Sequence, residues 1–160
     1  LLARGAAEVY AVDVGHDQLA SQLRADPRVH VREGLNLRDL SLADVAGEPV
    51  DVLVCDVSFI SLRLILAPML QVLRSDGDAL IMIKPQFEVG RERLGAGGVV
   101  RDEALRQTAI EGVLTCAAQL GWWPQWRADS ELAGQSGNIE HFVWLRSATV
   151  AAVPEPTGRS

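Results

Sequence analysis

Apolar positions along the chain fall into short dense runs separated by stretches of helical spacing. Residues 8–12 (Glu-Val-Tyr-Ala-Val) read as a strand closing on Asp13, and residues 28–32 read as a second. Residues 50–55 form a third strand, almost continuously apolar, that ends at Asp56. Residues 78–83 form another such run, ending at Lys84-Pro85. Between them, the pattern predicts a short helix over 18–24, a weak helical stretch over 40–45 and a helix over 62–73, with Gly77 following the turn after it. Asp102 is placed to cap a helix whose apolar or small positions 105, 109, 112, 113, 116 and 120 share one face and which Gly121 closes. Two last strands are predicted over 122–128 and 141–145. Residues 1–5 read as the final turn of a helix stopped by Gly5, so the chain is expected to begin inside an element. A glycine-rich loop occupies 90–98. The tail 147–160, with Pro154 and Pro156, is expected to be disordered, leaving one domain over 1–146.

Strands that are apolar throughout and alternate with helices predict an α/β fold, a parallel sheet with helices on both faces. Ligands of such sheets bind beyond the carboxyl ends of the strands. That rule singles out Asp13, the turn Gly34-Leu35-Asn36, Asp56 and Lys84 as candidate site residues.

Composition narrows the function. With 160 residues, 48% of them hydrophobic, the chain can bury a core as one globular domain. Its longest apolar stretch, 62–73, is interrupted by Arg63, Pro68 and Gln71, which argues against a membrane span. No secretory start opens it, so a cytoplasmic protein without a membrane role is expected. Cys55 and Cys116 are then free thiols in the core. A net charge of −6, from 15 basic and 21 acidic residues, offers no footprint for nucleic acid. If a nucleic acid is the substrate, this chain alone does not supply the long-range attraction. His16, His30 and His141 lack ligand spacing, and no metal site is expected. The run Gly95-Ala96-Gly97-Gly98 lacks the Lys-Ser or Lys-Thr that completes a phosphate cradle, which favours a loop over the substrate mouth. Phe59 and Phe87, near strand ends, suit either stacking on a base or core packing. Trp122, Trp123, Trp126 and Trp144 suit core or edge packing.

Four stretches together resemble the TlyA/hemolysin-A family of FtsJ-like 2′-O-methyltransferases: Val-Tyr-Ala-Val-Asp-Val-Gly at 9–15, Asp-Val-Leu-Val-Cys-Asp-Val-Ser-Phe-Ile-Ser-Leu at 51–62, Ile-Lys-Pro-Gln-Phe-Glu-Val-Gly-Arg at 83–91 and Gly-Gly-Val-Val-Arg-Asp at 97–102. The second and third are the specific ones. The resemblance runs over about 1–145. It implies a class I S-adenosylmethionine-dependent methyltransferase (Rossmann-like) sheet with strand order 3-2-1-4-5-7-6. It also implies a Lys-Asp-Lys-Glu catalytic set, carried here by Asp56, Lys84 and Glu140. The first lysine, the first strand with its glycine-rich cofactor loop and a small S4-like RNA-binding domain are then expected upstream of Leu1. Asp13, Asn36 and Asp56 are the implied S-adenosylmethionine contacts, and ribosomal RNA or a ribosomal subunit, methylated at a cytidine, is the implied partner.

A ribose 2′-hydroxyl attacks a sulfonium methyl only when its proton is held or removed by a base and when oxygen, carbon and sulfur lie nearly in line. A lysine serves as that base once burial or a neighbouring cation disfavours its charged form. The role expected for Lys84 is base or hydroxyl activation, with Asp56 and Glu140 orienting it. Bland readings compete: Asp13 as a helix cap, Asn36 as a turn former, Asp56 as a cap before Phe59 and Glu140 as a solvated strand start. Rival functions are a noncatalytic remnant unable to bind cofactor, a membrane-active hemolysin and a nicotinamide-dependent oxidoreductase. The last leaves Asp56, Lys84 and Glu140 unexplained.

Overall fold

The computed structural model describes residues 1–134 and 136–148. Among these residues the elements run β1 (Val9–Asp13), α1 (Ser21–Arg24), β2 (Val29–Glu33), β3 (Val50–Cys55), α2 (Leu66–Gln71), β4 (Leu73–Ile83), α3 (Glu103–Gln119), β5 (Trp122–Asp129) and β6 (His141–Ser147). Of the tail expected to be disordered, 149–160 lie outside the described residues, whereas Ser147 closes β6.

Two sheets form. β1 and β2 pair in parallel, from Val9 opposite Val29 to Asp13 opposite Glu33. The other sheet has the order β3-β4-β6-β5. β3 and β4 are parallel, joined by a crossover through α2, while β6 runs antiparallel to both β4 and β5. The connection from β5 to β6 is too short for a parallel crossover, which requires a dozen or more residues. The two sheets carry the order implied by the family resemblance on either side of its first strand.

β4 shows why the second sheet packs as it does. Ala79, Ile81 and Ile83 are fully buried, whereas Leu80 between them is 41% exposed. The buried set meets Val143 and Leu145 of β6, Leu66 and Met69 of α2, and Ile110 and Val113 of α3 in one hydrophobic cluster. Successive strand residues point to opposite faces, so an apolar run places half its side chains on the other side. There Val52, Val54, Leu80 and Trp144 remain exposed. The sheet is thus covered by helices on one face and open on the other among the described residues.

Several elements differ from their sequence pattern. The helix expected over 62–73 is a 3₁₀ turn, Leu62–Leu64, followed by the short α2. β4 then begins at Leu73 and continues through Gly77, which the pattern placed after a turn. A Cβ at Gly77 would lie 2.8 Å from Leu73 Cδ1 and 2.9 Å from the Asp51 carbonyl oxygen, so glycine here serves close backbone approach. The segment 40–45 is a 3₁₀ turn, Leu42–Val45, with Ser41 and Asp44 forming a capping box. Asp102 caps α3, its carboxylate accepting from the Ala104 and Leu105 amides. The buried face of α3, however, is Arg106, Ala109, Ile110, Val113, Leu114 and Ala117. It is rotated from the predicted face, and Leu120 is exposed. The helix docks through its 110/113/114/117 stripe, and the smaller positions 112 and 116 flank it.

The thiols are free. Cys116 is only half-buried, a correction to the expectation that both lie in the core. Burial pushes the Cys55 thiol up to about 12, and the neighbouring Asp56 charge adds to the shift. Only the thiolate alkylates, so iodoacetamide at pH 8 should modify Cys55 roughly 10²–10³-fold more slowly in the folded chain than in urea. Peptide mass spectrometry resolves it from Cys116. Equal rates in both states would show that β3 does not shield its last residue.

Candidate active site

β3 and β4 are adjacent and parallel, so their carboxyl ends deliver Asp56 and Lys84 to the same place. Lys84 Nζ lies 2.8 Å from Asp56 Oδ1 and donates to Ser58 Oγ at 3.1 Å. Glu140 enters from the start of β6, its Oε1 3.8 Å from the same nitrogen. Ile83 pairs with His141, so the antiparallel register of β4 and β6 puts Glu140 beside Lys84. The side chains of Lys84 and Glu140 are mostly buried, at 14% and 13% exposure, while that of Asp56 is open to solvent. Glycine at 134 makes room for the Glu140 carboxylate, since a Cβ there would lie 2.7 Å from Glu140 Oε1. His141 follows Glu140 and is pinned by a 2.7 Å contact from Nδ1 to Asp129.

Asp13 and Asn36 stand at the ends of β1 and β2, apart from this cluster. Asp13 Oδ1 accepts from the Gly15 amide at 2.7 Å, and Asn36 Oδ1 accepts from the Arg38 amide at 3.1 Å. Both therefore shape their own turns; Asn36 fits its turn-forming reading, whereas Asp13 caps no helix, since α1 begins only at Ser21 behind Ala20. Each keeps a second polar atom, Asp13 Oδ2 and Asn36 Nδ2, with no protein partner among the described residues. The Asp13 main-chain carbonyl accepts from the Leu35 amide, which ties the two turns together.

Three features of the site escaped the sequence reading. Phe59 is 91% exposed, not core, and its backbone is left-handed at φ 65°. Its ring tilts against Phe87 at a centroid distance of 5.2 Å. A bulky non-glycine residue in this conformation is uncommon and strained. Glu88, within one of the quoted motifs, is buried and fully engaged by residues 61–63. The third feature was countable from the start: Lys84 is the sole lysine, the other 14 of the 15 basic residues being arginines. Among the lysine and arginine side chains, the one able to release a proton is the one at this strand end.

An α/β sheet ordered in this way is the fold of class I methyltransferases. Residues 1–147 match the model of the FtsJ-like methyltransferases, and the chain belongs to that family. It is 46% identical over 153 residues to the 16S/23S rRNA (cytidine-2′-O)-methyltransferase TlyA of Mycobacterium tuberculosis, covering 96% of this chain and 57% of that protein. It is 38% identical over 146 residues to Hemolysin A of Brachyspira hyodysenteriae, covering 89% of this chain and 61% of that one. Among solved structures, a candidate hemolysin from Lactococcus lactis superposes with a TM-score of 0.85 at 45% identity, covering 90% of this chain and 69% of that chain. The chain spans between 51% and 61% of the length of the curated relatives it matches.

Proposed function

We propose that this chain carries the methyl-transfer site of an enzyme acting on a ribose 2′-hydroxyl of ribosomal RNA, at a cytidine, in the cytoplasm. The observation that carries the reading is the convergence of Asp56, Ser58 and Glu140 on the sole lysine, at the strand ends where α/β folds bind ligands. The kinship with a relative named as a cytidine 2′-O-methyltransferase supports it.

S-adenosylmethionine, when bound, supplies a sulfonium-activated methyl group. The residues present suit it: Asp13 Oδ2 is placed to accept from a ribose diol and Asn36 Nδ2 to donate to an adenine nitrogen. Lys84 Nζ is the atom that would hold or take the 2′-hydroxyl proton during methyl transfer. A group in that role must come within about 2.6–3.2 Å of the hydroxyl. Asp56 and Ser58 fix the direction of the Nζ, and Glu140 closes the side away from solvent. Phe59, exposed beside Ser58, offers a face on which the target base can stack. Strain at its backbone is consistent with that duty. The acidic chain gives RNA no long-range attraction, so basic groups elsewhere in the assembly provide it.

A second reading, a chain that keeps the fold but binds no methyl donor, is favoured by two observations. β1 pairs only with β2 and β3 only with β4 among the described residues, and Val52 and Val54 are exposed. No described helix is long and apolar enough to cross a membrane. Calorimetric titration of S-adenosylmethionine separates the two readings. Binding that Asp13→Ala weakens by about tenfold, the loss of one charge-assisted hydrogen-bonding group, supports the proposal. Absence of binding favours the second reading, and binding indifferent to Asp13 places the donor elsewhere. Transfer of labelled methyl to ribosomal RNA, with the product resistant to alkaline cleavage at one nucleotide, tests the chemistry itself.

A further inference from the structure

We infer that Glu88 is a positioning residue that locks the segment after β3 to the segment after β4, and so sets the Asp56–Lys84 pair. The inference deepens the methyl-transfer reading and rests on it for its functional meaning. Glu88 lies four residues beyond Lys84, at the end of the 3₁₀ turn Pro85–Phe87. Its side chain is 1% exposed. Both carboxylate oxygens point back across the site to the other loop. Oε1 accepts from the Leu62 amide at 2.6 Å, and Oε2 accepts from the Ser61 hydroxyl at 2.6 Å and from Arg63 Nε at 3.2 Å. Arg63 Nη2 closes the clasp by donating to the Glu88 carbonyl at 2.9 Å.

Burying a carboxylate is costly unless it is paired and hydrogen-bonded, and here all its partners come from one three-residue segment. That segment begins two residues after the left-handed Phe59, downstream of Asp56 and Ser58. Two loops leave adjacent strands, one carrying Asp56 and Ser58, the other carrying Lys84. Strand pairing fixes only their starting points. The Glu88 clasp fixes their far ends, and the residues between are held from both sides. The clasp also supplies what over-determines the strained Phe59 backbone, which would otherwise relax. Glu88 itself touches neither Lys84 nor Asp56, so it acts through the loops.

Because Lys84 is the sole lysine, its modification reports this arrangement directly in the intact chain. Acetylation by an N-hydroxysuccinimide acetate, read on the Lys84 peptide, should accelerate about tenfold in Glu88→Gln, the signature of local opening. Iodoacetamide labelling of Cys55, followed in the same samples, should stay as slow as in the parent chain. Ser61→Ala, which keeps the carboxylate and removes one donor, should give a smaller acceleration in the same direction. Asp56→Asn reads the pair itself. If it leaves Lys84 acetylation unchanged, the pair is not what holds the lysine, and the reading of the site fails whatever Glu88 does. If Asp56→Asn accelerates acetylation and Glu88→Gln does not, the positioning role is overturned. A rise in Cys55 labelling parallel to that of Lys84 in Glu88→Gln also overturns it, since Glu88 then supports the whole fold. In methyl transfer the same substitution should lower kcat about 10–100-fold while KM for RNA stays within about twofold.

Discussion

Replacing Lys84 with alanine should lower methyl transfer by roughly 10²–10⁴-fold, the range associated with a positioned general acid or base. Arginine at the same position should rescue little of it. An arginine keeps the positive charge and can still pair with Asp56, but it does not release a proton at working pH. The comparison therefore separates two duties that one ammonium could perform. If Lys84 only neutralises charge between Asp56 and Glu140, the arginine variant retains most of the rate. If Lys84 holds or takes the hydroxyl proton, both variants fall together. The expected loss corresponds to about 3–5 kcal/mol of transition-state stabilisation. It should appear in kcat, because the distances of 2.8 and 3.1 Å to Asp56 and Ser58 concern orientation of the reacting group. Arginine is bulkier, so retained urea stability in Lys84→Arg is part of the test.

The largest effect on stability is expected from Ile81→Ala, at about 2–5 kcal/mol. Ile81 is fully buried two residues before the end of β4, on the helix-covered face. Removing three carbons there loses transfer free energy and leaves a cavity that strands on both sides keep from collapsing. Leu80, its neighbour in sequence, points the other way and is 41% exposed, so Leu80→Ala should cost below about 1 kcal/mol. Urea unfolding of the two variants measures the contrast as a difference of roughly 1–2 M in midpoint at unchanged slope. Equal losses would have a definite meaning: the face bearing Val52, Val54, Leu80 and Trp144 is then covered in solution, by association or by further polypeptide.

The sequence by itself determined the alternation of elements and the residues at their ends. A strand that is buried on a face must be apolar, and the polar residue that stops the run marks the carboxyl end. Asp13, Asp56 and Lys84 were legible for that reason, and Glu140 came from the family resemblance. The strand order followed from the same resemblance, not from periodicity. Tertiary structure decided what period and composition do not encode. A run apolar throughout reads alike whether one face or both are covered, so the exposure of Val54 and Leu80 could not be read from it. Gly77 looked like a turn because the signal for a turn and for close backbone approach is the same missing Cβ; the nearness of Leu73 and the Asp51 carbonyl separates them. Phe59 reads like a core aromatic in sequence, and only the structure shows it exposed on a left-handed backbone. Glu88 looked like one more acidic residue in a motif. Its partners lie 25 to 27 positions away, and only the meeting of two strand ends makes its burial possible.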